Sequence, residues 1–150
     1  MKSYSIVTAS VEETEKAGYE VAKLAEDTGF IALYGDLGAG KTAFVRGAAK
    51  YLAPGASVSS PTYSIVNEYS PSCGQPNAPA ALFHFDMYRI TDPEDLESID
   101  FDSYFLRGGT IITEWSENIE FALPDEYIKV VIKKDGGEKR IITVSKVVKK

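Results

Sequence analysis

Phe30-Ile31-Ala32-Leu33-Tyr34-Gly35-Asp36-Leu37-Gly38-Ala39-Gly40-Lys41-Thr42 carries a nearly all-apolar run straight into a glycine-rich stretch that ends on a lysine and a threonine. The apolar run reads as a short strand buried on both faces. After the glycines, Phe44, Val45, Ala48, Ala49 and Leu52 recur at helical spacing, so Lys41 to Leu52 reads as an amphipathic helix. The segment Gly35 to Thr42 fits G-x-x-x-x-G-K-[ST] at every fixed position, and it lies between a strand and a helix, the context this motif demands. The glycines let the backbone turn its N–H groups inward, and the helix adds its positive end, so a polyphosphate finds donors already arranged. Lys41 supplies a point charge for β and γ phosphates, and the Thr42 hydroxyl is an oxygen ligand suited to Mg²⁺. Chance produces such a match in roughly one chain in 200 of this length.

Working outward, Tyr4, Ile6 and Thr8 alternate with polar neighbours as a first strand. Ser10-Val11-Glu12-Glu13 has capping-box spacing, and Ala17, Val21, Leu24 and Ala25 predict the buried face of the helix that follows, stopped at Thr28-Gly29. Pro54-Gly55 breaks the chain. Ser57 to Thr62 reads as a polar loop, Tyr63 to Tyr69 as a strand, and Ser70 to Pro79 as a further loop. Ala81 to Asp86 and Gly109 to Glu114 are apolar runs that each end in an acid, and Thr91-Asp92-Pro93-Glu94 opens a helix. Tyr127 to Ile132 and Arg140 to Val144 flank Asp135-Gly136-Gly137 as a closing β-hairpin. Strands alternating with helices predict a single domain over residues 1–150, with a three-layer α/β fold of the P-loop kind. Its central sheet is expected to be largely parallel, with the antiparallel C-terminal hairpin at the edge.

Composition excludes several classes. A chain of 150 residues that is 44% hydrophobic and 25% charged is one ordinary globular domain. No apolar run approaches a membrane span, and Met1 to Val7 lacks the apolar core of a secretory signal, so the protein is expected in the cytoplasm, with no membrane contact. The one cysteine, Cys73, cannot form an internal disulfide and reads as a spare loop thiol. A net charge of −6 argues against a surface that grips nucleic acid by itself. The basic stretches Lys133-Lys134 to Arg140 and Lys146 to Lys150 read as a solvated turn and tail. The dinucleotide fingerprint G-x-G-x-x-G is missing, as is a guanine-reading Asn-Lys-x-Asp, which favours ATP as the nucleotide.

A nucleoside triphosphatase needs a carboxylate near the metal and a group that orients the attacking water. Asp86 and Glu114 both end strands at the carboxyl edge of the predicted sheet, and spacing alone does not divide the two roles between them. His84, the only histidine, shares a strand face with Asp86 and reads as hydrogen-bonded support of the sheet edge. Trp115, the only tryptophan, reads by residue type as packing. Thr62, in Ser59-Ser60-Pro61-Thr62, occupies the place where P-loop switch proteins sense the γ phosphate, although a plain turn has the same composition.

Taken in order, the phosphate loop, Ser60-Pro61-Thr62-Tyr63, His84-Phe85-Asp86-Met87-Tyr88-Arg89 and Glu114-Trp115-Ser116-Glu117 resemble the TsaE (YjeE) family, from residue 1 to about 145. The resemblance implies an ATP-hydrolysing partner of TsaB and TsaD. With TsaC supplying threonylcarbamoyl-AMP, those proteins modify the adenosine beside the anticodon of ANN-reading tRNAs, so tRNA is met through the complex. By the resemblance, Thr42 and Glu114 are Mg²⁺ ligands, Asp86 orients water or supports the site, and Thr62 belongs to the switch. Asp36, Leu37, Gly38, Ala39, Gly40, Lys41, Thr42 and Ala43 hold the nucleotide together with Trp115 and Glu117, and Ser10 and Arg140 fall where the family meets base and ribose. Ala43 stands where a second hydroxyl residue is common, Met87 where leucine is usual, and the loop from Ser70 to Pro79 is longer than usual.

The same loop and acids also serve a small-molecule or nucleoside kinase, but such an enzyme usually carries an arginine-rich lid, and after Gly108 only Arg140 remains. A partner-docking nucleotide switch with negligible turnover is the other alternative.

Overall fold

A computed structural model describes residues 3–36, 38–61, 65–71 and 81–149. Leu37, Thr62 and Cys73 lie outside the described residues. The elements run β1 (Tyr4–Thr8), α1 (Val11–Leu24), β2 (Phe30–Tyr34), α2 (Lys41–Leu52), β3 (Val66–Tyr69), β4 (Leu82–Asp86), α3 (Pro93–Ser98), β5 (Thr110–Glu114), β6 (Glu126–Lys134) and β7 (Arg140–Val148). Two 3-10 segments, Phe101–Leu106 and Ser116–Ala122, flank β5.

The strands form one seven-stranded sheet in the order β1-β7-β6-β2-β5-β4-β3. β6, β2, β5 and β4 are mutually parallel at its centre, while β3 pairs antiparallel with β4 at one edge. At the other side the C-terminal hairpin β6–β7 is antiparallel, as expected, and β1 adds outside it, paired with β7 from Tyr4↔Val144 to Thr8↔Arg140. The hairpin is longer at both ends than its apolar core suggested, because ladder bonding continues into Lys133-Lys134 and Lys146-Val147.

Period-two alternation sorts the core. Ile31, Leu33, Leu82, Ile112, Val130 and Ile132 face α1 and α2, whereas Phe30, Ala32, Phe83, Phe85 and Ile111 face α3 and the 3-10 segments. The second layer is aromatic. Phe85 meets Phe101 edge-on with ring centroids 5.1 Å apart, and Phe30 stacks on Phe105 at 5.8 Å. Each fully buried Phe, Leu or Ile contributes about 1.5–3 kcal/mol by leaving water.

Local signals fold as the sequence reads them, with two corrections. Ser10 caps α1, its Oγ accepting from Glu13 N at 3.1 Å, while Glu13 reaches back to Ala9 N, one residue before the usual partner. Asp92 caps α3 through Asp95 N, with Pro93 in the first turn. Leu24, expected on the buried face of α1, is exposed, because the helix ends there and Ala25, Val21 and Ala22 take the inward positions. Of the predicted strand from Tyr63 to Tyr69, Val66–Tyr69 forms β3 and Tyr63 and Ser64 lie outside the described residues; Ile65 is not part of the strand, since its φ of 69° is a left-handed conformation that is strained for a β-branched residue.

Arg107 ties the aromatic layer to edge strand β3. Its Nη1 and Nη2 donate to the two carboxylate oxygens of Glu68 at 3.0 and 2.7 Å, and its guanidinium lies 4.6 Å from the Phe83 ring centroid. The Arg107 hydrogen bonds hold the Glu68 carboxyl below its usual range. The stabilisation is therefore fully present above the unfolded carboxylate pKa and is lost as pH falls through the lower folded one. Arg107→Ala is expected to lower the melting temperature by a few degrees at pH 7 and to converge with the parent protein in acid; an undiminished gap in acid would assign the effect to packing on Phe83.

Candidate functional site

The Gly35–Thr42 loop leaves β2 at its carboxyl end and enters α2 through Gly40, whose φ of 100° only glycine adopts without strain; Gly38 has φ 77°. The first bond of the α2 ladder runs from Phe44 N to Gly40 O at 3.0 Å. The N–H groups of Lys41, Thr42 and Ala43 therefore have no partner within the helix, and the helix dipole adds partial positive charge at the same place.

Beside this end lies a cleft of about 610 Å³ lined by Gly38, Gly40, Lys41, Thr42, Ala43, Ser60, Asp86 and Glu114, together with Val11, Arg46, Tyr88 and Trp115. Asp86 and Glu114 are directly paired across β4 and β5, so the two acids that the sequence placed at strand ends stand side by side at one sheet edge. Glu114 is 5% exposed, and its Oε2 accepts from His84 Nε2 at 2.5 Å. Asp86 Oδ1 accepts from Tyr88 N at 3.0 Å, which fixes the turn that follows β4. The backbone N–H of Asp86 donates to Ile65 O at 2.7 Å and that of Ile65 to Pro61 O at 2.9 Å, so the end of the Ser60-Pro61 segment is anchored beside this acid.

Lys41 is 5% exposed, donates to Gly35 O at 2.6 Å and sits 4.0 Å from the centroid of the Trp115 ring. Burial pushes its pKa down, against the opposing pull of Glu114, Glu117, Asp86 and Asp36. Trp115 has φ 57° and lies against Tyr88 with centroids 5.1 Å apart. A non-glycine left-handed residue immediately after Glu114 is local strain of the kind that clusters at functional sites. Its ring packs, as residue type suggested, but onto Lys41 and along the wall of the cleft.

The expected residues do not all meet. Asp36, Ala39 and Glu117 line a neighbouring cleft on the β6 side of the loop, with Tyr34, Lys133 and Lys134. Ser10 lines neither cleft; its hydroxyl caps α1 next to Val11, which lines the first. Arg140 braces the loop: its Nε donates to Ala39 O at 2.8 Å and its Nη2 to Gly38 O at 3.2 Å. Leu37 and Thr62 are outside the described residues.

Sequence reading missed Arg46 and Tyr88 as cleft residues. Arg46 follows Thr42 by four positions and so shares its helix face, a signal that was available. Asn118, which donates to Met87 O at 3.0 Å and Tyr88 O at 3.3 Å and so holds the turn after Asp86, gave no sequence signal, because that contact joins segments about 30 residues apart.

The profile of the family described as threonylcarbamoyl adenosine biosynthesis protein TsaE matches residues 8–142. Among its relatives, the "tRNA threonylcarbamoyladenosine biosynthesis protein TsaE" of Bacillus subtilis is 37% identical over 147 residues, covering 98% of this chain and 88% of that one. The Haemophilus influenzae protein of the same name is 40% identical over 102 residues, 68% of this chain and 61% of its own. The crystal structure of Bacillus subtilis YdiB superposes with a TM-score of 0.71 at 32% identity, covering 98% of this chain and 86% of the other. With sequence, fold and the order of its motifs in agreement, this chain belongs to the TsaE family.

Proposed function

We propose that this protein is a Mg²⁺-dependent ATPase that supports threonylcarbamoylation of the adenosine beside the anticodon in tRNA, acting with TsaB and TsaD and not transferring the group itself. The observation that carries the proposal is the convergence of Lys41, Thr42, Asp86 and Glu114, from the start of one helix and the ends of two strands, on a single cleft. The pathway follows from the names of the relatives.

In this reading the unpartnered N–H groups at the start of α2 take the β-phosphate oxygens, and Lys41 exchanges the Gly35 carbonyl for β and γ oxygens. Mg²⁺ keeps several waters and is held by one or two protein oxygens plus substrate phosphates. The donor chemistry fits: Thr42 and Glu114 both line the cleft and would supply hard oxygen ligands. Bound there, the metal would neutralise charge developing on the phosphates. Asp86 orients the attacking water, and Thr62 reports the γ phosphate to the segment anchored beside Asp86. The acidic surface, net charge −6, leaves tRNA to the partner proteins.

The test is ATP hydrolysis by the purified protein with Mg²⁺, alone and with TsaB and TsaD. Weak turnover that rises in the complex is expected. Asp86→Ala and Thr62→Ala should retain nucleotide binding while Asp86→Ala lowers turnover about 100-fold or more. Transfer of the γ phosphate to an added nucleoside or sugar would replace the reading with a kinase, and unchanged turnover in Asp86→Ala would remove that residue from the chemistry.

A further inference from the structure

His84 is fully buried, in the middle of β4, on the face that carries Leu82 and Asp86. Across the parallel pair it lies opposite Ile112, and Asp86 lies opposite Glu114, so His84 sits one step down the sheet from the acid pair and reaches diagonally up to Glu114. Its Nε2 is 2.5 Å from Glu114 Oε2. The ring is thereby hydrogen-bonded to the carboxylate that ends β5. Its other nitrogen, Nδ1, is buried with no hydrogen-bond partner among the described residues.

That orphan atom is informative. A buried polar atom left unpaired is a standing cost, and a leucine or methionine would fill the same slot between Leu82, Ile112 and the α2 layer without it. The one polar interaction shown for the His84 ring is with Glu114. Glu114 in turn is a wall of the cleft, at the end of β5, directly before the strained Trp115. With Oε2 engaged from below, the carboxylate cannot rotate freely, and Oε1 is the oxygen left for the cleft.

We propose that His84 is a positioning residue: it fixes the rotamer of Glu114 so that one defined oxygen is presented to the divalent cation of the bound nucleotide. This rests on the reading of Glu114 as a metal ligand given above. Groups of this kind, one hydrogen bond behind a metal ligand, set affinity because they pre-arrange the ligand and remove the entropy of ordering it on binding.

The experiment uses Mn²⁺ as the probe, titrated into the full-length protein with a non-hydrolysable ATP analogue, with free Mn²⁺ followed by its electron paramagnetic resonance signal. His84→Leu is expected to weaken Mn²⁺ in the ternary complex roughly 10- to 100-fold, while analogue binding measured in excess chelator stays within about twofold. His84→Gln, whose amide N–H reaches to a similar point, should recover most of the Mn²⁺ affinity. His84→Asn is polar but too short, so it should behave as His84→Leu does, and it carries the test if the leucine variant does not fold. A role confined to packing would weaken analogue binding equally with and without metal and would not separate Gln from Asn; either result overturns the proposal. Glu114→Gln separates the two readings. If it weakens Mn²⁺ binding and His84→Leu does not, the positioning role falls alone; if Glu114→Gln also leaves Mn²⁺ binding intact, both fall.

Discussion

Lys41→Ala is expected to reduce ATP affinity about 100-fold or more, roughly 3 kcal/mol, without destabilising the fold. The binding loss follows from removing the one charged donor that the Gly35–Thr42 segment carries, while Arg140 is engaged with the Ala39 and Gly38 carbonyls. The stability expectation comes from the opposite side of the same residue. Lys41 is nearly buried at the N-terminus of α2, where the helix dipole opposes a cation. Four carboxylates and the Trp115 face favour the charge, yet burial outweighs them and its pKa is lowered. With the folded pKa below the unfolded one, the unfolded chain binds the proton more tightly. Stability therefore rises with pH through that window, and at neutral pH the charged amine costs stability. A thermal melt should place Lys41→Ala at or above the parent protein, while a nucleotide titration followed by Trp115 fluorescence shows the lost affinity. Full affinity in the variant would detach the loop from phosphate binding; a large fall in melting temperature would make Lys41 a structural residue.

Gly47→Ala should lower the melting temperature by about 10 °C, an effect of roughly 3 kcal/mol or more. α1 and α2 cross so closely that a Cβ at Gly47 would lie 1.6 Å from the Glu15 carbonyl oxygen, and one at Gly18 would lie 2.0 Å from that of Phe44. Both obstructions are backbone, so relief requires the helices to separate. Alanine's better helix propensity returns only about 1 kcal/mol, so the clash wins. The crossing is also clasped by Glu15, whose carboxylate meets Lys50 at 2.9 Å and Arg46 at 3.6 Å. Because α2 begins at the phosphate loop, separating the helices also displaces the Lys41–Ala43 N–H groups, and the folded fraction should bind nucleotide more weakly. A melting temperature within 2 °C of the parent, on the order of the shift expected from less than 1 kcal/mol, would mean that the crossing slides without cost.

What could be read in advance was whatever depends on neighbours in sequence. The phosphate loop is contiguous, its glycines and lysine act through their own backbone and the helix they start, and so Gly35 to Thr42 was legible with the strand and helix on either side. β2, β4 and β5 announced themselves because strands of a parallel sheet are covered on both faces and read as unbroken apolar runs. Caps at Ser10 and Asp92 were equally local. The terminal acids of β4 and β5 were placed at one edge of the sheet, but dividing their roles required the family resemblance.

Other features needed the chain to fold on itself. The order β1-β7-β6-β2-β5-β4-β3 brings the first strand beside the last, a pairing set by which edge is still open and not by any residue of Tyr4–Thr8. The 3-10 segments carry no strong period and are held by the aromatic layer they cover. Leu24 is exposed where α1 ends, and Ile65 is left-handed against the intrinsic preference of a β-branched residue. At the site, sequence alone determined that a G-x-x-x-x-G-K-T loop and two strand-end acids were present. Tertiary structure alone decided that His84 reaches Glu114, that Trp115 covers Lys41 and that Arg140 braces the loop from below. These contacts join residues 30 to about 100 positions apart, and their geometry comes from register and packing, which no short stretch of sequence contains.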